Sequence, residues 1–252
     1  MPRRDSARRN ALFFLGASLV SLCFLPLATF GIAVPTVSLP WQRQVVGLAF
    51  SAICLLGALA GVSPSTCLRI FRSGRKSVES RQAATSSPRS SSARQVQKKG
   101  HHASCTNYAS HLVHIGGAVY CAGCTGLVLG AAIALVGSAL YFFVGVPLTY
   151  ALVVFWLGFA GVALGLLQHP LYAVFKTRHG VVRVFVNVGF VVGAFLLLAS
   201  VADLTNNLLL EAYLLLAIVY WIFTRIAMSK RGHSRICILC GDTGCRLSEA
   251  LG

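Results

Sequence analysis

The chain has 252 residues, of which 56% are hydrophobic and 11% charged, and its mean hydropathy is +0.74. A soluble globular domain of this composition would lack the polar residues needed to cover its surface, so the composition excludes that class and indicates an integral membrane protein. The formal net charge is +16, from 22 Lys and Arg against six Asp and Glu. In a membrane protein such a basic excess reports topology first, so it does not by itself indicate nucleic-acid binding.

Six apolar stretches are long enough to cross a bilayer as helices, since a hydrocarbon core of about 30 Å takes about 20 residues. The predicted fold class is therefore all-α, a polytopic transmembrane helix bundle of about six spans. Asp203 and Glu211 fall near the outer boundary, so no span carries the ionisable residue near its midplane that ion-coupled transporters usually have. The predicted spans lie near residues 11–33, 44–62, 118–143, 148–168, 184–202 and 207–228.

The basic residues are distributed unevenly between the connections. Of the 22 Lys and Arg, 21 fall in the N-terminal tail, in 63–100, in 176–183 and from Arg225 onward, and Arg43 is the one on the other side. The positive-inside rule then places both termini in the cytoplasm. We predict a multi-pass protein of the cell (inner or plasma) membrane.

Four regions follow from this map. Residues 1–65 form an N-terminal two-helix membrane hairpin, and its first span is read as a membrane helix rather than a cleaved export signal because the apolar run is longer than a usual signal. Residues 66–103 form a disordered basic cytoplasmic linker, rich in Ser and Arg. Residues 104–230 form a four-helix membrane unit with a Cys/His entry motif, and residues 231–252 form a Cys-rich cytoplasmic tail.

The partners follow from composition. The lipid bilayer is one, and the basic linker suits anionic headgroups, where each basic residue gains about 1 kcal/mol. No nucleic acid is expected, since no aromatic residues interleave with the linker's charges. The sequence identifies no protein partner.

Glycines recur four residues apart in the third, fourth and fifth spans, as "GLVLG" (126–130), "GVALG" (161–165) and "GFVVG" (189–193). Small residues at this spacing allow membrane helices to approach closely. With 24 Gly in the chain, about two such steps are expected by chance, so the pattern serves only as a hint of close helix packing.

Nine cysteines divide into two groups. Cys23, Cys54 and Cys67 lie inside or at the edge of the first two spans, where a thiol acts as a small hydrophobe. The other six fall on the predicted cytoplasmic side, where thiols stay reduced and clusters indicate metal binding or redox chemistry. These six are Cys105, Cys121, Cys124, Cys237, Cys240 and Cys245.

Two Cys-x-x-Cys pairs, Cys121/Cys124 and Cys237/Cys240, have the spacing that lets two thiolates bind one zinc ion. The first pair lies in the first turn of a predicted helix, where backbone N–H groups stabilise thiolates. The candidate metal ligands are Cys121 and Cys124 with Cys105, His111, Cys237, Cys240 and Cys245, and zinc is the expected cofactor. A thiol redox site, or no shared site, are the alternatives.

The segment "SCTNYASHLVHIGGAVYCAGCTGLVLG" resembles an uncharacterised family of small polytopic membrane proteins, a domain of unknown function. Its signature is Cys-His followed about 18 residues later by Cys-Ala-Arg-Cys-Thr-Gly. The residues that match are Cys105, Cys121, Cys124, Thr125 and Gly126, while Thr106 and Gly123 stand where the family has His and Arg, and the spacer is shorter. The resemblance covers about residues 104–200, where Arg183 takes the place of an Arg in a further family pattern. It implies the membrane architecture and a role for the thiols, without a reaction.

Three functional hypotheses remain. The first is a non-enzymatic zinc site with a structural or sensory role. The second is a membrane-bound thiol-disulfide oxidoreductase using Cys121 and Cys124, which the lack of a quinone or flavin signature disfavours. The third is a transporter. The sequence does not decide whether the protein is an enzyme, and it favours a role without catalysis.

Overall fold

The computed structural model describes residues 2–32, 40–62, 111–115, 118–175 and 180–240. The predicted linker 66–103 lies outside these residues, and so do Cys67, Cys105 and Cys245. The described elements, in chain order, are α1 (Pro2–Leu27, continued by a π-helical turn, Ala28–Ile32), α2 (Gln42–Val62), β1 (Leu112–Ile115), β2 (Ala118–Cys121), α3 (Ala122–Ser138, continued by a π-helical segment, Ala139–Val144), α4 (Ala151–Phe175), α5 (Gly180–Thr205) and α6 (Leu208–Cys240).

Each of the six helices contains a stretch long and apolar enough to cross a membrane. Large apolar side chains point outward along them, such as Leu209, Leu216 and Phe185, which are 80%, 72% and 70% exposed. In a soluble protein such surfaces would be covered, whereas in a bilayer they contact lipid. The all-α fold class is confirmed, and the chain is a multi-pass integral membrane protein.

Two helix boundaries differ from the prediction. The third span was predicted to start at residue 118, but residues Ala118–Cys121 form a β-strand and the helix starts at Ala122. The last helix does not end with its apolar span at Ser229 and runs on to Cys240, into the region predicted as a tail. A run of apolar residues locates a membrane span well. It does not reveal a short strand that precedes the span or a polar helical extension that follows it.

Glycines line the contacts of α5 with its neighbours. A Cβ atom added at Gly126 of α3 would lie 2.6 Å from the carbonyl oxygen of Val184, and one at Gly161 of α4 would lie 2.6 Å from that of Gly189. These distances leave no room for any side chain, so the backbones of α3 and α4 approach α5 as closely as glycine permits. The glycine steps noted in the sequence thus lie at the α3–α5 and α4–α5 contacts.

A different, polar seam joins α1 to α6. The hydroxyls of Ser18 and Thr224 are 2.8 Å apart, the indole N–H of Trp221 donates to Ser21 Oγ at 2.8 Å, and the Tyr213 hydroxyl donates to the Ser21 carbonyl at 3.1 Å. The ring of Trp221 is fully buried. These bonds give polar atoms in an apolar surrounding a partner on the facing helix.

Successive helices run in opposite directions, so the bundle has two ends. The thiol end comprises the start of α1, the end of α2, the β-hairpin with the start of α3, the end of α4, the start of α5 and the end of α6. The acidic end is the opposite one, where Asp203 closes α5 and Glu211 lies in the first turn of α6. That the thiol end faces the cytoplasm stays a prediction from charge.

Candidate metal centre at the thiol end

A β-hairpin leads directly into α3. Strands β1 and β2 are antiparallel, with Leu112 opposite Cys121 and Ile115 opposite Ala118. The start of α5 lies against it, because a Cβ atom at Gly180 would be 2.5 Å from the Leu112 carbonyl oxygen. The hairpin therefore fixes the position of Cys121 relative to both α3 and α5.

Cys121 and Cys124 lie at the N-terminus of α3. Cys121 is the last residue of β2 and the N-cap of the helix, with φ −72° and ψ 119°, and its side chain makes no capping hydrogen bond. Cys124 follows in the first turn, and both side chains are half-buried. The amide N–H groups and the positive end of the helix dipole at this site stabilise negative charge, so the position favours thiolates.

The neighbouring side chains support this junction. Thr125 Oγ1 donates to the Cys121 carbonyl oxygen at 3.0 Å, which ties the first turn to the strand end. A Cβ atom at Gly61, at the end of α2, would lie 3.6 Å from the Cys124 carbonyl oxygen. The Cys-x-x-Cys segment is thus packed on the bundle on the α2 side.

His111 immediately precedes β1, one residue from the strand partner of Cys121. Its Nδ1 is 2.9 Å from Nη1 of Arg183 on α5. A guanidinium only donates, so Nδ1 is the acceptor and a neutral ring carries its proton on Nε2. A histidine that binds zinc through one ring nitrogen carries its proton on the other and donates it to a neighbouring group. His111 Nδ1 instead accepts from Arg183, so His111 would have to break this hydrogen bond before it could bind the metal. His111 as a ligand stays a prediction.

Deeper in the thiol end, α4, α5 and α6 meet in what we call the arginine cluster, formed by Gln168, Asn187 and Arg225. Nη2 of Arg225 donates to Gln168 Oε1 at 2.5 Å and to Asn187 Oδ1. Its guanidinium carbon also lies 4.3 Å from the centre of the Phe190 ring. Both amide side chains are buried, at 6% and 4% exposure. A cation held in this way within a membrane bundle links three helices.

The arginine cluster connects to the thiol junction through α5. Asn187 Nδ2 donates to the Arg183 carbonyl at 2.6 Å, and Arg183 in turn contacts His111. A Cβ atom at Gly126 would lie 2.7 Å from the Asn187 Cβ. These contacts connect the β-hairpin, the first turn of α3 and the arginine cluster into one region.

The sequence analysis missed both the hairpin and the cluster. The signal for the hairpin was Gly116-Gly117 between two β-rich tetrapeptides, "LVHI" and "AVYC", which is typical of a two-residue hairpin loop. Arg225 was counted as a flanking charge, yet it lies four residues before the end of the apolar span at Ser229, or about 6 Å inside it. The sequence around Arg225 does not distinguish it from a basic residue that only flanks a span on the cytoplasmic side.

The second Cys-x-x-Cys pair lies on the helical extension of α6. Cys237 is eight residues beyond Ser229, so its backbone lies about 12 Å past the end of the span. Helix α3 packs on α2 and α5, whereas α6 packs on α1, α2, α4 and α5. A site shared with Cys121 would need the extension to bend back towards α3.

The described part of the chain brings Cys121, Cys124 and His111 to one junction, but no three His, Cys, Asp or Glu side chains within it are arranged to hold a metal ion. Cys105 and Cys245 lie outside it, so the full ligand set stays a prediction. No protein-family model, curated protein or solved structure matches the chain. The family resemblance therefore also stays a prediction.

Proposed function

We propose that this multi-pass membrane protein binds one zinc ion at the thiol end, with Cys121 and Cys124 as its first two ligands, in a structural or sensory role without catalysis. The observation that carries the proposal is the placement of both thiols at the N-terminus of α3, one as the N-cap and one in the first turn. Zinc is bound by thiolates, and this position supplies the positive potential that stabilises them.

Two more ligands are needed, because structural zinc sites are almost always four-coordinate. Cys105 and His111 are the nearer candidates, since Cys105 is six residues before His111 and a chain of that length spans at most about 20 Å. Cys237, Cys240 and Cys245 are the more distant candidates, because α6 continues as helix through Cys240. Proximity along the chain favours the local set of Cys105, His111, Cys121 and Cys124.

A membrane-bound thiol-disulfide oxidoreductase is the second candidate function. The same helix N-terminus that suits a zinc ligand also raises the thiolate fraction of a redox cysteine, so the placement of Cys121 and Cys124 favours both. The two functions differ in their metal content. A zinc site keeps its thiolates whatever the redox poise, whereas a redox pair is metal-free and cycles.

The test is metal analysis of the full chain purified without chelators, combined with thiol alkylation. We expect about one zinc per chain and slow alkylation of Cys121 and Cys124 until a chelator is added. Joint replacement Cys121→Ser and Cys124→Ser should remove the zinc, while Cys23→Ser, on the lipid-facing surface of α1, should retain it.

Joint replacement Cys237→Ser and Cys240→Ser identifies the remaining ligands. Unchanged zinc in this variant favours the local set, and loss of zinc shows that the α6 extension contributes. A purified chain that carries no zinc and forms a Cys121–Cys124 disulfide with mild oxidant would refute the zinc proposal and support the oxidoreductase.

A further inference from the structure

Buried polar residues also gather at the acidic end, away from any cysteine. We call them the glutamate cluster: Gln42 at the start of α2, Tyr141 in the π-helical segment of α3, and Glu211 in the first turn of α6. Their exposures are only 2%, 3% and 2%. Three helices therefore place polar side chains at one buried point.

Glu211 is a carboxyl group one turn inside the apolar span that begins at Leu208. Gln42 Nε2 donates to Glu211 Oε1 at 2.8 Å, across 169 residues of sequence. An ionisable group inside a membrane span is expensive and marks a functional site by default. The donors around it, an amide N–H₂ and the N-terminus of α6, suit a carboxylate rather than a metal cation.

Tyr141 provides an independent observation. Its hydroxyl is buried and makes no hydrogen bond of ordinary geometry within the described residues. It lies in a π-helical segment, and such segments occur frequently at functional sites. Arg43 is the donor that comes near this hydroxyl, but without good alignment. A buried hydroxyl whose hydrogen bonding is incomplete is costly, so its position suits a small polar ligand such as water.

Arg43 lies between the buried cluster and the surface of the acidic end. This side chain is exposed, and its guanidinium carbon lies 4.6 Å from the centre of the Tyr141 ring. Arg43 and Glu211 both act electrostatically on Tyr141, as does the exposed Asp203 at the end of α5. The Arg43 guanidinium thus lies over the phenol of Tyr141 and near enough to the buried carboxyl of Glu211 to act on it electrostatically.

We propose that the glutamate cluster is a proton-exchange site open to the aqueous phase at the acidic end. One proton moves between water and a carboxylate oxygen of Glu211, and no other bond is made or broken. Arg43 stabilises the ionised carboxylate, and the Tyr141 hydroxyl holds the water through which the proton passes. This site is separate from the proposed zinc site and lies at the opposite end of the bundle.

The charged groups around Glu211 can be named for every helix that packs on α6. Helix α2 contributes Arg43 and α5 contributes Asp203, while the span of α4 (Ala151–Gln168) contains no charged residue and that of α1 (Arg9–Gly31) contains only Arg9, at its thiol end. The nearest phenol on α6 itself, Tyr213, donates its hydroxyl to the Ser21 carbonyl. Arg43 is therefore the one cation within the described acidic end that acts on Glu211.

The experiment is labelling of the full chain by dicyclohexylcarbodiimide, an apolar reagent that modifies protonated carboxyl groups, at about pH 5 to about pH 9. Peptide mass spectrometry locates the label. We expect labelling at Glu211 that falls by about tenfold per pH unit once the carboxyl is mostly ionised. Exposed Asp203 is the internal control and should react with a water-soluble carbodiimide instead.

Variants of Arg43 test the mechanism at an exposed position that should not disturb folding. Arg43→Gln removes the positive charge that favours the ionised carboxyl, so labelling of Glu211 at neutral pH should rise by about two- to fivefold, and Arg43→Lys should preserve the wild-type profile.

Joint replacement Cys121→Ser and Cys124→Ser should leave the profile unchanged, so that this inference and the zinc proposal fail independently. Absence of label at Glu211 across the pH range, or label that does not depend on pH, would overturn the proposal.

Discussion

The two ends of the bundle hold their polar residues in different ways. At the thiol end, Cys121 and Cys124 are three residues apart and lie on one helix terminus, beside a hairpin that is continuous with them. At the acidic end, Gln42, Tyr141 and Glu211 come from three separate helices and meet only in the folded bundle. A short-range motif can be recognised in a sequence, whereas a site assembled from single residues on different helices becomes visible only when the helices are packed.

The ends also differ in how they hold an arginine. Arg225 at the thiol end donates to Gln168 and Asn187 between three helices, and Phe190 covers its guanidinium. Arg43 at the acidic end is exposed and contacts one aromatic ring. Arg225 is therefore part of the helix packing at the thiol end, whereas Arg43 lies at the surface of the acidic end.

The largest expected effect is at the glycine contact beneath the thiol junction. Gly126→Val would push a side chain against the Val184 carbonyl and the Asn187 side chain, where even a Cβ atom is too close. We expect a loss of about 3 kcal/mol of unfolding free energy in detergent, with displacement of the first turn of α3 and faster alkylation of Cys124. Gly57→Val is the control, since no atom lies within 4 Å of a Cβ atom there. Equal stability of the two variants would contradict the packing described for α3 and α5.

The next effect compares the two arginines directly. Arg225→Leu leaves the side-chain oxygens of Gln168 and Asn187 buried without their donor, and we expect a loss of about 2 kcal/mol of unfolding free energy. Arg43→Leu removes an exposed cation above Tyr141, and we expect a loss below about 1 kcal/mol. Unfolding of both variants in mixed micelles measures the difference. A larger loss for Arg43→Leu would show that Arg225 is not the arginine that contributes more to helix packing.

The sequence was sufficient for the fold class and for all six spans, because a bilayer requires about 20 apolar residues whatever the helix packs against. Cys124 lies in the first turn of a membrane helix, as predicted, whereas Cys121, predicted in the same turn, is the last residue of β2 and the N-cap. The role of Arg225 was not, because an arginine four residues from the end of a span looks like a topological charge until its partners on α4 and α5 are known. For the same reason Glu211 was assigned only to the neighbourhood of the boundary, although it is buried.

A smaller effect concerns the turn that orients Glu211. Asn207 caps α6, and its Oδ1 accepts from the backbone N–H groups of Leu209 at 3.0 Å and Leu210 at 3.3 Å. Asn207→Ala removes this cap, and we expect a loss of about 1 kcal/mol, whereas Asn207→Asp keeps an acceptor and should retain most of the stability. Thermal unfolding of the two variants measures the loss. Equal destabilisation by alanine and aspartate would show that the cap does not hold this turn.

The smallest effect tests the electrostatics of the thiol junction without disturbing the fold. A Cβ atom at Gly123 would lie 3.9 Å from Cys121 Sγ, an ordinary contact, so a side chain fits beside the sulfur. Gly123→Arg would add a guanidinium there. We expect the metal-stripped variant to alkylate at Cys121 about three to ten times faster at neutral pH, because a nearby cation raises the thiolate fraction. Gly123→Ala adds the Cβ atom without the charge and should react at the wild-type rate. Equal alkylation rates for the arginine and alanine variants would mean that the helix N-terminus alone already ionises the Cys121 thiol. An added cation could then not increase the thiolate fraction.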